Sequence, residues 1–251
     1  MPYKIIPKGI FLSLIFSVSS AAEVIHFKAQ DGFKLEAHYS PGSRKLAKGV
    51  LMLHQCNRNK DMYTSLGKKL ASEGIHSLAV DLRGYGGSNN EAYEKQEAAI
   101  DTSTREKLMA NYRSMMEKVW PLDVDAAYKT LAEKIGSDNI AFIGASCGGE
   151  LAVTLAKIHP PKSFIFFSAG MASMTKSVEE HFKPVSHIPS MIIVAQDDGV
   201  NFKTANALFL NARNEQSKLI SYKGKEHGEP LFELDKHLEN TMLAWLKQSL
   251  K

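Results

Sequence analysis

Short runs of apolar residues, each continuous rather than alternating, constrain the fold of this chain more than any other feature. The runs lie at residues 49–54, 75–80, 139–143, 163–167 and 191–195, and a last strand is predicted at residues 218–222. A continuous apolar run is typical of a strand that is buried on both faces, as in a parallel sheet covered by helices. Amphipathic helical segments separate the runs, for example the one that carries Met62, Leu66 and Leu70. The pattern predicts an α/β fold with a mostly parallel central sheet and helices on both faces.

The remaining segments complete this expected architecture. Strand-like runs from Val24 to Phe27 and from Lys34 to Tyr39 flank an Asp-Gly turn signal, which predicts an N-terminal antiparallel hairpin. Apolar spacing predicts three further helices: residues 108–119 ending before a break at Pro121, residues 122–135, and one closing helix over 231–250. With 251 residues and no internal repeat, residues 23–251 are expected to form a single domain.

The first 22 residues differ in character from the rest of the chain. Lys4 and Lys8 precede a short apolar run from Ile10 to Val18, and small residues follow up to Ala22. This order is typical of a secretory signal peptide, and we expect cleavage after Ala22 and a periplasmic or secreted protein. An uncleaved amphipathic anchor is the alternative. The run is too short for a membrane-spanning helix, which needs about 20 apolar residues.

The net charge and the cysteine content limit the classes of molecule that this protein is expected to bind. The formal net charge is +4 and becomes +2 when the two lysines of the leader are removed, which is too weak to indicate a nucleic acid or an anionic membrane as a partner. The two cysteines are not spaced with histidines as zinc ligands would be, so no metal or cofactor is expected. In an oxidising compartment the two cysteines could form one disulfide.

The segment from Gly144 to Gly148 reads Gly-Ala-Ser-Cys-Gly and lies between a buried strand and an amphipathic helix. A serine hydroxyl needs a tight turn that presents it to a base, and the flanking glycines allow such a turn around Ser146. The helix that begins here directs free N–H groups at the reacting atom, so the backbone N–H of Cys147 is predicted to form half of an oxyanion hole. The sequence therefore predicts Ser146 as a nucleophile.

A base and an acid follow in loops at the carboxyl ends of later strands. His227 lies in a turn between two glycines, after the last predicted strand. Asp197 and Asp198 follow the strand at 191–195, and only one of them is able to reach the imidazole. The order Ser, Asp, His along the chain is that of nucleophile-elbow enzymes.

Several motifs together resemble the α/β-hydrolase superfamily, near its dienelactone-hydrolase-like and small serine esterase branch. The matching segments are residues 50–54, 81–88, the turn at Ser146, residues 195–198 and residues 224–228. The resemblance assigns the acid to Asp198. It also places the second oxyanion N–H in the loop after the first central strand, at Cys56, although Gln55 stands where the family usually has glycine. His54, Asp81 and Arg83 are expected to brace loops rather than to take part in chemistry.

Both cysteines thus flank the expected oxyanion hole, either as two small buried thiols or as a disulfide across it. Attack by Cys147 itself is disfavoured because Ser146 occupies the central position of the turn. The expected function is hydrolysis of a small acyl substrate, with a carboxylic ester ahead of a lactone, thioester or peptide bond. A catalytically silent binding protein of the same fold is the alternative.

Walls of the substrate site are expected from two connections, with a small lid or none. One contains Met171, Met174 and Phe182, and the other runs from Ser88 to Trp120. Methionine-rich walls suit a small or medium acyl group, although the same spacing also occurs in ordinary cores. The sequence does not indicate an oligomeric state.

Overall fold

The computed structural model describes residues 22–43, 47–90, 93, 105–170 and 177–250 of the chain. The predicted leader lies almost entirely outside these residues. One eight-stranded sheet forms the centre, in the order β1-β2-β4-β3-β5-β6-β7-β8. The strands are β1 (Glu23–Lys28), β2 (Lys34–Ser40), β3 (Gly49–Leu53), β4 (His76–Val80), β5 (Ile140–Ala145), β6 (Phe164–Phe167), β7 (Ser190–Ala195) and β8 (Lys218–Tyr222).

The direction of the strands agrees with the predicted fold class. β1 pairs antiparallel with β2, β2 pairs antiparallel with β4, and all other neighbours are parallel. Strands β3 to β7 are buried along their whole length, as their continuous apolar sequences require. The predicted mostly parallel sheet with an N-terminal hairpin is therefore confirmed.

Helices cover both faces of the sheet. They are α1 (Thr64–Ser72), α2 (Arg105–Ser114), α3 (Trp120–Ile135), α4 (Cys147–Ala156), α5 (Val178–Phe182), α6 (Gly199–Asn211), α7 (Pro230–Leu234) and α8 (Leu238–Ser249). Leu66 of α1 and Trp245 of α8 pack on one face, whereas Val124 of α3, Leu151 of α4 and Leu208 of α6 pack on the other. Each fully buried leucine of this kind contributes about 1.5–3 kcal/mol through removal of its side chain from water.

Two predicted helix boundaries are wrong. Pro121 does not break a helix: a π-helical turn over Met115–Val119 leads directly into α3, and Pro121 lies in the first turn of α3, where no backbone N–H is needed. The closing segment is two helices rather than one. Asp235 has extended backbone between α7 and α8, and its carboxylate accepts hydrogen bonds from the Tyr222 hydroxyl and the His237 N–H.

Buried ion pairs brace the loops at the carboxyl ends of the strands, as the sequence predicts for Asp81 and Arg83. Asp81 accepts hydrogen bonds from the backbone N–H of Lys60 at 2.7 Å and from its ammonium group at 2.8 Å. The Lys60 ammonium also lies 2.8 Å from the Glu36 carboxylate. Arg83 pairs in the same way with the buried Asp123. The Lys60 contacts fix the segment after β3 to β2 and to the loop after β4, and the Arg83 contact fixes that loop to α3.

Within the part of the chain that the structure describes, no helix has the length and apolar composition needed to cross a membrane.

The Glu36–Lys60 contact predicts an acid-dependent stability. The hydrogen bond from Lys60 lowers the pKa of Glu36 in the folded protein. Since a lowered carboxyl pKa favours folding only while the carboxylate is ionised, this contribution is present above the ordinary carboxyl pKa and is lost as the pH falls. Glu36→Gln should lower the free energy of unfolding by about 1–2 kcal/mol at pH 7 and by much less at pH 3, measured by urea denaturation.

The exposed Glu133 on α3 provides the control, because Glu133→Gln should change stability by less than about 0.5 kcal/mol at either pH. A Glu36→Gln deficit that stays constant between pH 7 and pH 3 would contradict the assignment.

Candidate active site

Ser146 occupies a strained turn between β5 and α4. Its φ of 50° and ψ of −120° lie in a region that residues other than glycine rarely adopt, at a cost of about 1–3 kcal/mol. The flanking glycines permit this turn through close backbone contacts. A Cβ atom on Gly144 would lie 2.4 Å from the carbonyl oxygen of Gly148, and one on Gly148 would lie 2.4 Å from the carbonyl oxygen of Leu53. The turn therefore requires glycine at both positions.

Backbone hydrogen bonds hold Ser146 in this conformation. Its N–H donates to the carbonyl of Phe167 at the end of β6, at 3.0 Å. Its carbonyl accepts from the N–H of Gly149 at 2.9 Å and from the N–H of Gly170 at 3.1 Å. Because these partners belong to α4 and to the loop after β6, the strain at Ser146 is compensated by two separate elements.

His227 and Asp198 come together at the same edge of the sheet. Nδ1 of His227 lies 3.0 Å from Oδ1 and 2.9 Å from Oδ2 of Asp198. This contact requires the proton on Nδ1, which leaves Nε2 as the acceptor. Asp198 is nearly buried, whereas Asp197 is exposed and uses its backbone N–H to contact Gly224. Of the two adjacent aspartates, Asp198 is thus the partner of the imidazole.

Asn201, in the first turn of α6, is a member of this cluster that the sequence analysis missed. Its Nδ2 donates to Oδ1 of Asp198 at 2.9 Å and lies 3.2 Å from Nδ1 of His227. Both nitrogens are donors, so both are directed at the carboxylate. The sequence did show that Asn201 lies three residues after an acid at the start of a predicted helix. Many polar residues occupy such positions without contacting a catalytic acid, so the spacing alone does not identify Asn201.

Two side chains hold the loop that carries His227. The N–H of Gly228 donates to Oγ of the buried Ser168 at 3.0 Å. The N–H of Glu229 donates to Oε1 of Gln55 at 2.8 Å. Gln55 is the departure from the family pattern noted in the sequence, and the structure gives it a role as a link between the loop after β3 and the His227 loop. Ser168 had no distinguishing sequence signal.

Ser146 and Asn201, a member of the His227 cluster, both lie close to Gly170. A Cβ atom at Gly170 would lie 3.2 Å from Oδ1 of Asn201 and 3.9 Å from Oγ of Ser146. Among the residues that the structure describes, the Ser146 hydroxyl and Nε2 of His227 each have no hydrogen-bond partner within the protein. Both atoms therefore stay available for a substrate or for each other.

Cys56 and Cys147 form a disulfide, with their Cα atoms 5.9 Å apart. The alternative of two thiols, left open by the sequence, is not what the structure contains. Their backbone N–H groups donate to no residue in the described ranges. Cys147 is the first residue of α4, so its N–H lies at the positive end of the helix dipole. The two segments thus present free donors beside Ser146.

His54 is buried and braces the loop, as predicted. Its Nδ1 donates to the carbonyl of Gln55 at 2.8 Å, and its Nε2 accepts from the N–H of Leu82 at 3.1 Å. Burial lowers the pKa of His54, which keeps the ring neutral with one donor and one acceptor. Among the described residues, no group of three or more His, Cys, Asp or Glu side chains is arranged to hold a metal ion.

The predicted walls of the site are only partly within the described residues. Met171 and Met174, and most of the residues between Asn90 and Arg105, lie outside them. Phe182 was expected in a flap, and this is wrong: it is fully buried and packs edge-on against Phe166 with ring centroids 5.8 Å apart. Helix α5 places Phe182 in the core because its apolar ring fills the space over β6.

A comparison with protein families matches residues 49–186 to the model of the alpha/beta hydrolase fold. The match includes the Ser146 turn and ends before Asp198 and His227. The chain is also 24% identical, over 85% of its length and 75% of the relative, to an uncharacterized protein of Mycobacterium tuberculosis.

Solved structures with a similar fold include several esterases. An esterase from Pyrococcus furiosus aligns over 100% of both chains with a TM-score of 0.69 and 15% identity. An esterase from Exiguobacterium antarcticum aligns over 90% of this chain and 100% of its own, with a TM-score of 0.59 and 16% identity. A thermophilic esterase from Thermogutta terrifontis covers 92% of this chain and 100% of its own, with a TM-score of 0.62 and 14% identity. At these identities the likeness shows the fold.

The contact between Gly228 and Gln55 predicts a specific intolerance to alanine. Gly228 has a φ of +67°, and a Cβ atom there would lie 1.9 Å from Oε1 of Gln55. Gly32, in the turn between β1 and β2, also has a positive φ of +85° but open space around it. Both Gly→Ala changes should cost about 1–2 kcal/mol through backbone strain, and Gly228→Ala should cost about 1–3 kcal/mol more because the Gln55 amide must leave the Glu229 N–H.

Urea denaturation of both variants measures this difference. In a Gln55→Ala background the excess cost of Gly228→Ala should disappear, since the clash and the hydrogen bond are already gone. Equal losses for Gly228→Ala and Gly32→Ala in the wild-type background would show that the Gln55 contact does not hold this loop.

Proposed function

Since this chain belongs to the α/β-hydrolase fold family, we propose that it is an exported serine hydrolase that cleaves a carboxylic ester through an acyl-enzyme on Ser146. The observation that carries the proposal is the contact of His227 Nδ1 with both carboxylate oxygens of Asp198, at 3.0 and 2.9 Å, beside a serine in a strained turn. Strained residues of this kind are frequent at active sites, where the surrounding structure holds them in place.

In the first step, Nε2 of His227 takes the proton of the Ser146 hydroxyl as Oγ attacks the ester carbonyl. The Nδ1–H of His227 donates to Asp198, which orients the ring and stabilises the imidazolium that forms. Asn201 donates a further hydrogen bond to Asp198 at 2.9 Å. This second donor holds the carboxylate in place while the charge on the imidazole changes.

The tetrahedral intermediate carries a negative charge on the former carbonyl oxygen. We assign the N–H groups of Cys147 and Cys56 as its donors, because neither donates to another of the described residues and both lie on segments adjoining Ser146. The N-terminus of α4 adds its positive dipole end. Removal of one such donor typically lowers kcat by about 10²–10³-fold.

Collapse of the intermediate expels the alcohol, which takes the proton from His227, and leaves the acyl group on Oγ of Ser146. Water then attacks the acyl-enzyme, with His227 acting again as base and then as acid. The products are the carboxylic acid and the free enzyme. No cofactor or metal takes part in this cycle.

The choice of an ester over other acyl bonds is supported by the solved esterases that share the fold. Lactones, thioesters and peptide bonds use the same machinery, and placement in the dienelactone-hydrolase-like branch stays a prediction. A small-molecule substrate suits a site built from loops at one edge of the sheet.

The nucleophile is tested by fluorophosphonate labelling followed by peptide mass analysis. Label should attach to Ser146 in the wild-type protein and be lost in Ser146→Ala. A folded wild-type protein that takes up no label would favour a catalytically silent binding protein.

The two adjacent aspartates offer a matched pair of variants for the acid. Asp198→Asn should lower kcat on a chromogenic ester by about 10³–10⁴-fold, because an amide cannot fix the required tautomer of His227. Asp197→Asn should leave kcat within about twofold, since the Asp197 side chain is exposed. The assignment is wrong if Asp197→Asn proves the more damaging change.

Export is tested by expressing the full chain in a Gram-negative host and fractionating the cells. The protein in the periplasm or medium should begin at Glu23, as determined by N-terminal sequencing. A chain that keeps its first 22 residues and sediments with membranes would instead favour the uncleaved anchor.

A further inference from the structure

We propose that the Cys56–Cys147 disulfide positions the oxyanion hole, so that its reduction by a dithiol lowers turnover without unfolding the enzyme. The bond joins the two residues whose backbone N–H groups are assigned as the oxyanion donors, and its Cα atoms are 5.9 Å apart. This inference rests on the proposed function, because it concerns the same Ser146 site. It adds a covalent control over that site.

The Cys147 side of the hole is rigid without the disulfide. Cys147 is almost completely buried and follows Ser146, whose N–H and carbonyl are both hydrogen-bonded to backbone groups. The next residue, Gly148, packs against the backbone of Leu53 and His54. Helix α4 therefore keeps its first N–H groups in place through contacts with β3, β5 and β6.

The Cys56 side is held differently. Cys56 is partly buried, and the Tyr85 hydroxyl donates to its carbonyl oxygen. The neighbouring carbonyl of Gln55 accepts from His54 and from the N–H of Arg58. All of these bonds fix carbonyl groups from the side of β4 and the loop itself. Across the described residues, no hydrogen bond joins residues 55–59 to α4.

The disulfide is thus the direct link between the two halves of the oxyanion hole. An oxyanion donor has to lie about 2.7–3.1 Å from the oxygen that becomes charged, so a shift of a few tenths of an ångström at Cys56 weakens it. This interaction strengthens only in the transition state. Its loss should lower kcat much more than it raises KM.

The redox step is an ordinary exchange that consumes one dithiol. A dithiol thiolate attacks Cys56 Sγ, the more accessible of the two sulfurs, and Cys147 Sγ leaves as a thiolate. The N-terminus of α4 favours negative charge on that leaving group. The second dithiol sulfur then displaces Cys56 Sγ. The protein gains two electrons and two protons as two thiols, and the dithiol becomes a cyclic disulfide.

The test compares oxidised enzyme, enzyme treated with dithiothreitol under native conditions, and the Cys56→Ser/Cys147→Ser double variant. Alkylation and mass analysis count the thiols, which should number zero before reduction and two after it. On a chromogenic acetate ester, reduction should lower kcat by about 10- to 100-fold, below the loss expected for complete removal of a donor. KM should change by less than about threefold.

Three further measurements separate positioning from simple destabilisation. The Tm of the reduced enzyme is measured by thermal denaturation, so that activity is assayed well below it. Reoxidation of the folded, reduced enzyme at the assay temperature should restore kcat. Dithiothreitol should not change the kcat of the double variant.

Different results overturn different claims. Two thiols alkylated before reduction would exclude the disulfide. The positioning role would be excluded if the reduced enzyme carries two thiols and keeps its kcat within twofold. It would also be excluded if reduction lowers kcat and raises KM by the same factor. An oxidised protein that neither hydrolyses esters nor labels at Ser146 would refute the proposed function itself, and this inference with it.

Discussion

The close approach of the first turn of α4 to the backbone at the end of β3 is the contact on which the rest of the site depends. It exists because Gly148 has no side chain between its backbone and the carbonyl of Leu53. The approach places the free N–H of Cys147 beside the loop that holds Cys56, and it brings the two sulfurs within bonding distance. It also forces Ser146 into a conformation that costs about 1–3 kcal/mol. A larger residue at Gly148 would separate all of these groups at once.

Hydrogen bonds between loops hold the residues of the candidate site together around this contact. Loops at the carboxyl ends of parallel strands lie close together, but their own backbone conformations do not fix distances between side chains. Here Gln55 ties the loop after β3 to the His227 loop, Ser168 ties the loop after β6 to it, and Asn201 fixes Asp198. Each link is a single hydrogen bond of about 3 Å, and the links made by Gln55 and Ser168 join segments far apart in the sequence. The geometry of the candidate site thus depends on side chains that have no part in the proposed bond breaking.

The sequence analysis predicted the fold and the main site residues from two kinds of regularity. Continuous apolar runs indicated the parallel sheet, and glycines around Ser146 and His227 marked turns whose order along the chain matched a known arrangement. Pro121 and Phe182 were misread because a proline at a helix start and an apolar residue in a connection each fit two structures. The local sequence shows which conformations a segment is able to adopt, whereas packing against the sheet determines which of them it adopts.

What the sequence determined by itself was the layer architecture, the turn at Ser146 and the candidates for base and acid. These follow from hydrophobic periodicity and glycine placement, which act over a few residues. The family resemblance favoured Asp198 over Asp197, but only the tertiary structure showed its contact with the imidazole, paired Cys56 with Cys147, and gave Asn201 and Ser168 their roles. These outcomes depend on distances between segments tens of residues apart, and such distances exist only once the sheet has assembled and its loops have met at one edge.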